Sequence, residues 1–522
     1  MPFLRKPSAP GLSVGSMLSR ATRPPNDHGH HNALTAFFDK RMEVLSWILM
    51  GFLSSKICEE STPILASILA SIALIGCGFF LDRLLFVSQE PPILQPADLH
   101  SPKNDRSEAC LQTANAAECR EIIKSGTPPR AWKNTLSALE ARARPNQRLN
   151  LAFGIESCFT SSDEKSCKRF RIQVEKLLYV EEGEWVNFAS TARQATKEAL
   201  DFDGDTVSLF HVVQLLTLKT MMRVLWPDRD PKQSTNEQIS TLAHEVNVQW
   251  LRSKEHGADE NPPWSFEKQT SLKDAIKAVF PDWDEADSEQ NPCNLILPGY
   301  ETMWRVVLRC FIEVKARNHC QADAWRFALR RFSRNPTKQQ LELPMFRPST
   351  EVAAVHITKE ALRLYPPTRR IYREYCNNDN QKINVSADIE AMQRDLTIWE
   401  DQPNAFVPER WIGLEEGHDT GYMPFGASPF NCPAKRYKNV PMPFGPSMVA
   451  LLVGILVEAT WVAWDIDGEL QDGGRPLDTN REAYSEAMLT RSQSLENDVG
   501  EEETIWCFCD SCVVPTNAEM FE

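Results

Sequence analysis

Residues 425–434, which read Phe-Gly-Ala-Ser-Pro-Phe-Asn-Cys-Pro-Ala, place one cysteine among residue types that favour loops. Cys432 stands ahead of a long apolar run, residues 448–457, which predicts a helix. A loop of this kind can present a thiolate, which is the reactive and metal-binding form of cysteine. Taken alone, a cysteine in a loop is more often a small buried hydrophobe, so its neighbours must decide.

An acid and an alcohol stand together upstream of that loop. Residues 295–314 carry apolar side chains along one broad side, which predicts a helix that contains Pro-Gly-Tyr-Glu-Thr at 298–302. Because proline removes a backbone donor and glycine lacks a side chain, we expect this helix to be distorted and open beside Glu301 and Thr302. The alternative is an ordinary proline kink with a solvated glutamate.

A further helix is predicted to open at Glu351 and to end before Pro366, and on it Glu360 and Arg363 share one face. Apolar neighbours indicate that this pair is partly buried. Breaking a buried pair costs about 3–5 kcal/mol, whereas a solvated surface pair contributes under about 1 kcal/mol. After the prolines the chain should become extended, and it carries Arg369, Arg370 and Arg373.

These stretches, together with Phe-Val-Pro-Glu-Arg-Trp at 406–411, stand in the order and at the approximate spacing of the cytochrome P450 family. The chain resembles this family clearly from about residue 294 to residue 460 and more weakly over 148–253. The resemblance implies that Cys432 is the axial thiolate ligand of haem iron, with Phe425 beside the cofactor. It also implies that Glu301 and Thr302 belong to the oxygen-binding notch of the distorted helix.

The resemblance assigns two more arginines. Arg410 should join Glu360 and Arg363 in a structural network that holds the haem-binding core. The basic residue that often precedes the cysteine by two positions is replaced by Phe430, so another cation must meet a haem propionate. Position in the family pattern favours Arg373, the alternative being that it and its two neighbours are solvated surface arginines. No propionate ligand is assigned from the N-terminal half, because the expected Trp-x-x-x-Arg is not evident.

The resemblance implies a mainly α fold with a small β portion, carrying haem b. The activity would be a monooxygenase reaction that takes electrons from NADPH through a reductase and inserts one oxygen atom into an apolar small molecule. A fungal secondary metabolite such as a terpenoid or polyketide is the expected substrate. Two alternatives stay open: a reductase-independent haem-thiolate isomerase or dehydratase, and a catalytically inactive, membrane-bound haem or scaffold protein.

Composition limits the partners. The chain has 57 basic and 71 acidic residues, a net charge of −14, which argues against a nucleic-acid surface. The 14 cysteines show no repeating spacing in a chain too long to need disulfide staples, and the cluster Cys507, Cys509 and Cys512 lacks a fourth zinc ligand. We therefore expect mostly reduced thiols facing the cytosol.

The ends of the chain differ from its middle. We predict a disordered leader over 1–43, a membrane anchor over 44–87, a Pro-rich linker over 88–108, a catalytic domain over 109–482 and an acidic mobile tail over 483–522. The best membrane span is 63–81, an uncharged run of nearly the length that a spanning helix needs. A hairpin of two membrane segments would keep the catalytic domain on the cytosolic face of the endoplasmic reticulum, whereas a single span would place it in the lumen.

Overall fold

The computed structural model describes residues 110–126, 135–201, 204–230, 233–255, 264–317, 319–344, 351–376, 381–400, 402–414, 421–435, 441–461, 463–467 and 475–492. All of them lie in one compact unit, Arg106–Glu522. The predicted leader, anchor and linker lie outside the described residues. Of the helices that the structure describes, none is both long and apolar enough to cross a membrane.

The described part is mainly helical, as predicted. Its α-helices are α1 (Ala116–Lys124), α2 (Ala138–Ala143), α3 (Gln147–Phe153), α4 (Glu164–Leu178), α5 (Glu184–Leu200), α6 (Leu209–Leu225), α7 (Asn236–Glu255), α8 (Thr270–Val279), α9 (Cys293–Ile296), α10 (Met303–Lys315), α11 (Ala322–Arg334), α12 (Lys338–Glu342), α13 (Ala354–Leu364), α14 (Ile389–Met392), α15 (Leu396–Trp399) and α16 (Phe444–Ala459). A π-helical turn, Leu297–Glu301, joins α9 to α10. Short 3₁₀ turns lie at Arg144–Asn146, Phe266–Lys268, Ser288–Gln290 and Pro408–Trp411.

Two three-stranded sheets complete the described part. The strands are β1 (Leu111–Thr113), β2 (Thr206–Ser208), β3 (Arg370–Cys376), β4 (Lys382–Asp388), β5 (Trp464–Asp467) and β6 (Met488–Arg491). In the first sheet β4 lies between β1, to which it is parallel, and β3, to which it is antiparallel. In the second sheet β6 lies between β2 and β5, antiparallel to both.

Helix α16 lies at the centre of the core. Its sequence is apolar on every side, and every residue from Phe444 to Val457 is buried, as expected for a helix that is enclosed by others. It packs against α5, α10, α11 and α13. The approach to α11 is close enough that a Cβ on Gly454 would lie 2.9 Å from the carbonyl carbon of Leu329 and 2.9 Å from Ser333 Cβ. Glycine is therefore required where these two helices meet.

Three local predictions can be compared with the structure. The distorted helix over 295–314 is confirmed, because α9, the π turn and α10 cover it except for Thr302, whose backbone is also helical. The extended segment after the prolines is confirmed as β3. The helix predicted to open at Glu351 begins instead at Ala354, because Ala353 is extended and the ring Nδ1 of His356 accepts its backbone N–H at 3.2 Å.

The acidic segment predicted over 483–522 is not uniformly a tail. Its first residues belong to the folded unit, since β6 pairs with two strands and Leu489 is fully buried. One inward-facing leucine on a four-residue strand among charged residues is too weak a pattern to show this from sequence. The folded part therefore extends at least to residue 492.

Candidate functional site

The cysteine loop is held by its own backbone. Cys432 N–H donates to the Phe425 carbonyl at 2.9 Å, Phe430 N–H donates to Ala427 at 3.0 Å, and Lys435 N–H donates to Cys432 at 3.1 Å. Gly426 has a φ of +70°, a backbone conformation that favours glycine. Gly445 N–H donates to Ala434 at 3.0 Å and so ties the end of the loop to the start of α16.

The Cys432 side chain has an open surface, unlike most described cysteines. Burial raises the pKa of the Cys119 and Cys293 thiols to about 12, which makes them inert packing residues. Although Cys432 has exposed surface, desolvation by the residues around it raises the pKa of its thiol. The Ala434 N–H opposes this shift. A metal ion would displace this proton, because a coordinating thiol is bound as the thiolate. Cys432 thus combines access with a position fixed by the loop.

Phe425 and Phe430 face different surroundings. Phe425 packs onto the main core beside Gly445, where a Cβ would lie 2.9 Å from its ring. Phe430 lies against two guanidinium groups, with the Arg142 carbon 4.6 Å and the Arg373 carbon 5.5 Å from its ring centroid. The two arginines therefore flank the position from which the expected basic residue is missing.

Arg373 is buried, 3% exposed, and donates only to uncharged oxygens: Ser125 Oγ, the Tyr372 carbonyl and the Ile123 carbonyl, each at 2.8 Å. Burial lowers its pKa to about 10. Its neighbours differ, because Arg369 pairs with Glu390 at 2.5 Å and Arg370 with Asp388 at 2.9 Å. Of the three predicted arginines, Arg373 is thus the one that no described carboxylate pairs with, and a buried cation of this kind requires an anion.

Two arginines near the loop were missed by sequence reasoning. Arg142 of α2 donates to the Cys158 carbonyl, and its buried Nε has no hydrogen-bond partner among the described residues. Arg171 of α4 donates to the Pro429 carbonyl at 3.0 Å. The signal that could have found Arg171 is the spacing Cys-x-x-x-Arg from Cys167, in which cysteine stands where the expected motif has tryptophan.

Glu301 and Thr302 lie at the end of the π turn. The Thr302 hydroxyl donates to the Pro298 carbonyl at 3.0 Å. Glu301 is fully buried, and its carboxylate forms ion pairs with Arg305, at 3.3 Å, and with Arg481. The solvated glutamate of the alternative interpretation is therefore not observed. Gly299 packs toward α6, because a Cβ there would lie 3.2 Å from a Leu225 methyl group, so it serves helix packing.

Glu360, Arg363 and Arg410 come together as a network. Glu360 and Arg363 are both fully buried and form a bidentate pair at 2.8 and 2.9 Å. Arg410 Nε donates to Glu360 at 3.0 Å, as do Trp411 Nε1 at 3.0 Å and Val407 N–H at 2.9 Å. Arg363 also donates to the carbonyls of Gln393, Pro403 and Ala405. The network therefore ties α13 to the segment that precedes the cysteine loop.

The residues around the loop fit a haem. An accessible thiol matches an iron ligand, and two cations without described carboxylate partners match the two propionates. A surface cleft of about 460 Å³ lies elsewhere, lined by residues of α5, α16 and β5 and by none of the cysteine loop. The arrangement defines a candidate haem-thiolate site.

Comparisons with known proteins agree. Residues 355–436 match the family model described as Cytochrome P450. The chain is 27% identical over 151 residues to a Caenorhabditis elegans cytochrome P450 designated cyp-13B1, covering 25% of this chain and 30% of that protein. It is 35% identical over 99 residues to tabersonine 6,7-epoxidase isoform 2 of Catharanthus roseus, covering 17% and 19%. The chain thus matches less than a third of the length of these curated relatives.

Solved structures of the family are also similar to this chain. A cytochrome P450 from Sulfolobus tokodaii has 14% identity and a TM-score of 0.44, covering 74% of this chain and 95% of that one. A six-coordinated cytochrome P450 from Thermus thermophilus has 15% identity and a TM-score of 0.41, covering 68% and 92%.

Proposed function

We propose that this protein is a haem-thiolate monooxygenase that inserts one atom of dioxygen into an apolar small molecule. Haem b would bind through Cys432, and its electrons would come from NADPH through a cytochrome P450 reductase. A fungal secondary metabolite, a terpenoid or polyketide, is the proposed substrate. The proposed location is the endoplasmic reticulum membrane, with the catalytic domain facing the cytosol and residues 44–87 as the anchor.

The observation that carries the proposal is the accessible Cys432 on a loop whose Phe430 ring lies against Arg142 and Arg373, two cations that no described carboxylate pairs with. Bound haem would supply the activation of dioxygen, which protein side chains alone cannot perform. Cys432 would ligate the iron, while the two arginines would hold propionates. Thr302 carries a hydroxyl that can both donate and accept, and it would hold a proton at its Oγ1 for the reaction that haem would supply.

The difference spectrum of the reduced, carbon-monoxide-treated protein tests the ligand. The parent and Cys320→Ala, which removes another exposed cysteine, should show the thiolate-type band, and Cys432→Ala should not. A thiolate-type band that survives in Cys432→Ala would refute the assignment. Removal of residues 1–87 followed by membrane fractionation tests the anchor, since release from membranes is the expected result.

One observation favours the second candidate, a reductase-independent isomerase or dehydratase. The carboxylate of Glu301 is held in ion pairs with Arg305 and Arg481, so it is not oriented toward Thr302 by any described hydrogen bond. NADPH consumption in the presence of reductase decides between the two activities. Substrate-dependent consumption, which Thr302→Val should divert toward hydrogen peroxide, supports the monooxygenase, whereas turnover without NADPH supports the isomerase. Absence of haem from the purified protein would support the inactive alternative.

A further inference from the structure

The two arginines that pair with Glu301 interact electrostatically with three further cations, so positive charge here exceeds the single charge of Glu301. We call the following residues the Glu301 cluster: Glu301, Arg148 of α3, Lys254 of α7, Arg305 and Arg309 of α10, and Arg481. Arg305 and Arg481 pair directly with Glu301. Among the described residues, Glu301 is the one carboxylate that forms an ion pair with any of the five cations. The cluster therefore carries a net positive charge at the side of the π turn.

Contacts with uncharged groups fix these cations in place. Arg148 donates to Ser253 Oγ, and Arg481 donates to Asn247 Oδ1 at 3.2 Å. Their guanidinium carbons lie 5.0 and 4.7 Å from the ring centroid of Trp250, so the indole binds both arginines. The cations are thus preorganised by the fold without a carboxylate for each.

The positive charge has electrostatic consequences. Desolvation, followed by repulsion from Arg481, Arg148, Arg305 and Arg369, lowers the pKa of Lys254 to about 8. Desolvation lowers the pKa of Arg309 and of Arg481 to about 10, with Arg305 contributing repulsion to each. Desolvation is the main cause of all three shifts and repulsion between the cations adds to it, so an added anion would favour the charged forms.

The cluster can be reached from outside. Lys254 is exposed and Arg148 is partly exposed, so both present their charges on an outer face. A cleft of about 10 Å³, the size of one water molecule, opens between Arg305, Arg309 and Arg369. The outer face therefore offers the charges of Lys254 and Arg148 to an approaching anion.

We propose that the Glu301 cluster recognises an anionic group, a carboxylate or phosphate, on an otherwise apolar ligand. Arg148 supplies a planar pair of donors that matches either group, and Lys254 supplies a second charge. The inference rests on the proposed function only in calling this ligand a substrate. The anionic end of the ligand would bind at the Glu301 cluster, and its apolar body would bind elsewhere in the site.

Calorimetric titration tests the proposal with three probes that share one apolar body: octanoate, octyl phosphate and octan-1-ol. Either anion should bind at least about tenfold more tightly than the alcohol, as expected for one charge-assisted interaction. Added salt should weaken the preference, because Lys254 is exposed. If octyl phosphate exceeds octanoate, the group recognised is a phosphate, and the reverse order identifies a carboxylate.

Variants locate the effect. Arg148→Gln and Lys254→Gln should each reduce the preference for the anion by about tenfold or less while leaving octan-1-ol unchanged. Arg252→Gln is the matched control, because it removes the same charge from an exposed position on α7. Since Lys254 is exposed, its substitution should leave the fold intact even if Arg148→Gln does not fold.

The results separate this inference from the proposed function. Equal binding of octanoate, octyl phosphate and octan-1-ol, or no detectable binding of either anion, would overturn the anion site. If Arg252→Gln has as large an effect as Lys254→Gln, the preference for anions reflects general charge attraction. That result would also overturn the anion site. Titration heat does not depend on haem, so a protein without the thiolate-type band would refute the monooxygenase and still answer this question.

Discussion

Two fully buried glutamates, Glu360 and Glu301, stand in opposite electrostatic surroundings. Glu360 accepts from Arg363, Arg410, Trp411 and the Val407 N–H, and the remaining donors of Arg363 reach backbone carbonyls. Glu301 pairs with Arg305 and Arg481, which belong to a cluster of five cations, and its Oε2 has no hydrogen-bond partner in the described part. A buried network whose polar groups are all paired stabilises the fold, while one with surplus charge indicates a place for a ligand.

The largest expected effect is at Glu360. Glu360→Ala should lower the free energy of unfolding by about 3–5 kcal/mol, because it leaves the buried Arg363 without its anion. Urea denaturation measures the loss. The matched control is Glu289→Ala, whose partner Arg169 is 65% exposed, and it should cost under about 1 kcal/mol. Similar losses in the two variants would mean that the Glu360 network is no stronger than a surface bridge.

Glu301→Gln should behave differently from Glu360→Gln. It leaves Arg481 buried without a counter-ion, so we expect a loss of about 3 kcal/mol. The anion that binds the cluster best should restore much of this loss, since a ligand at about 100 times its Kd adds about 2.7 kcal/mol. Thermal unfolding with and without that anion measures the recovery. Comparable recovery in Glu360→Gln would remove the distinction between the two glutamates.

A smaller effect is expected from pH on the helix that carries Glu360. Burial lowers the pKa of His356, the residue that caps α13, to about 4 from an ordinary value of 6.5. Between these values the unfolded chain binds a proton that the folded chain does not, so stability should fall as the pH drops from 7 to 5. His356→Gln should show less of this decline in urea denaturation. A parent and variant with identical pH profiles would contradict the role of His356.

The smallest effect concerns Lys254. Octanoate stays ionised above pH 7, and guanidinium groups as a class stay charged. Because the pKa of Lys254 is about 8, anion affinity should weaken a few-fold as the pH rises from 7 to 9. Calorimetry on Lys254→Gln should show no such slope. A slope that persists in the variant would assign the titration to another group.

The two regions also differ in how far sequence could predict them. Glu360 and Arg363 stand three apart on one helix, so their contact follows from helical geometry, and β3 follows from the prolines. The start of α13 was not predictable, because the His356 ring caps it in place of a Ser or Thr side chain.

The partners of Glu301 and of the cysteine loop come from distant segments. Arg481 lies in an irregular stretch, Lys254 at the end of α7, and Arg142 in a helix of six residues. Neither spacing nor periodicity links them to their sites, since only tertiary packing brings them together. Arg373 was selected by its position in the family pattern, and its lack of a described carboxylate partner becomes visible only in three dimensions.

The close contact at Gly454 reaches beyond the core. Helix α16 follows the cysteine loop, and the hydrogen bond from Gly445 N–H to the Ala434 carbonyl joins the two. The position of α16 in the core therefore influences the position of Cys432. A methyl group at position 454 would collide with the backbone of Leu329 and push the helix outward. The contact between these two helices thus helps to fix the position of the Cys432 thiol. A larger residue in this part of the core would displace the thiol from the iron that it would ligate.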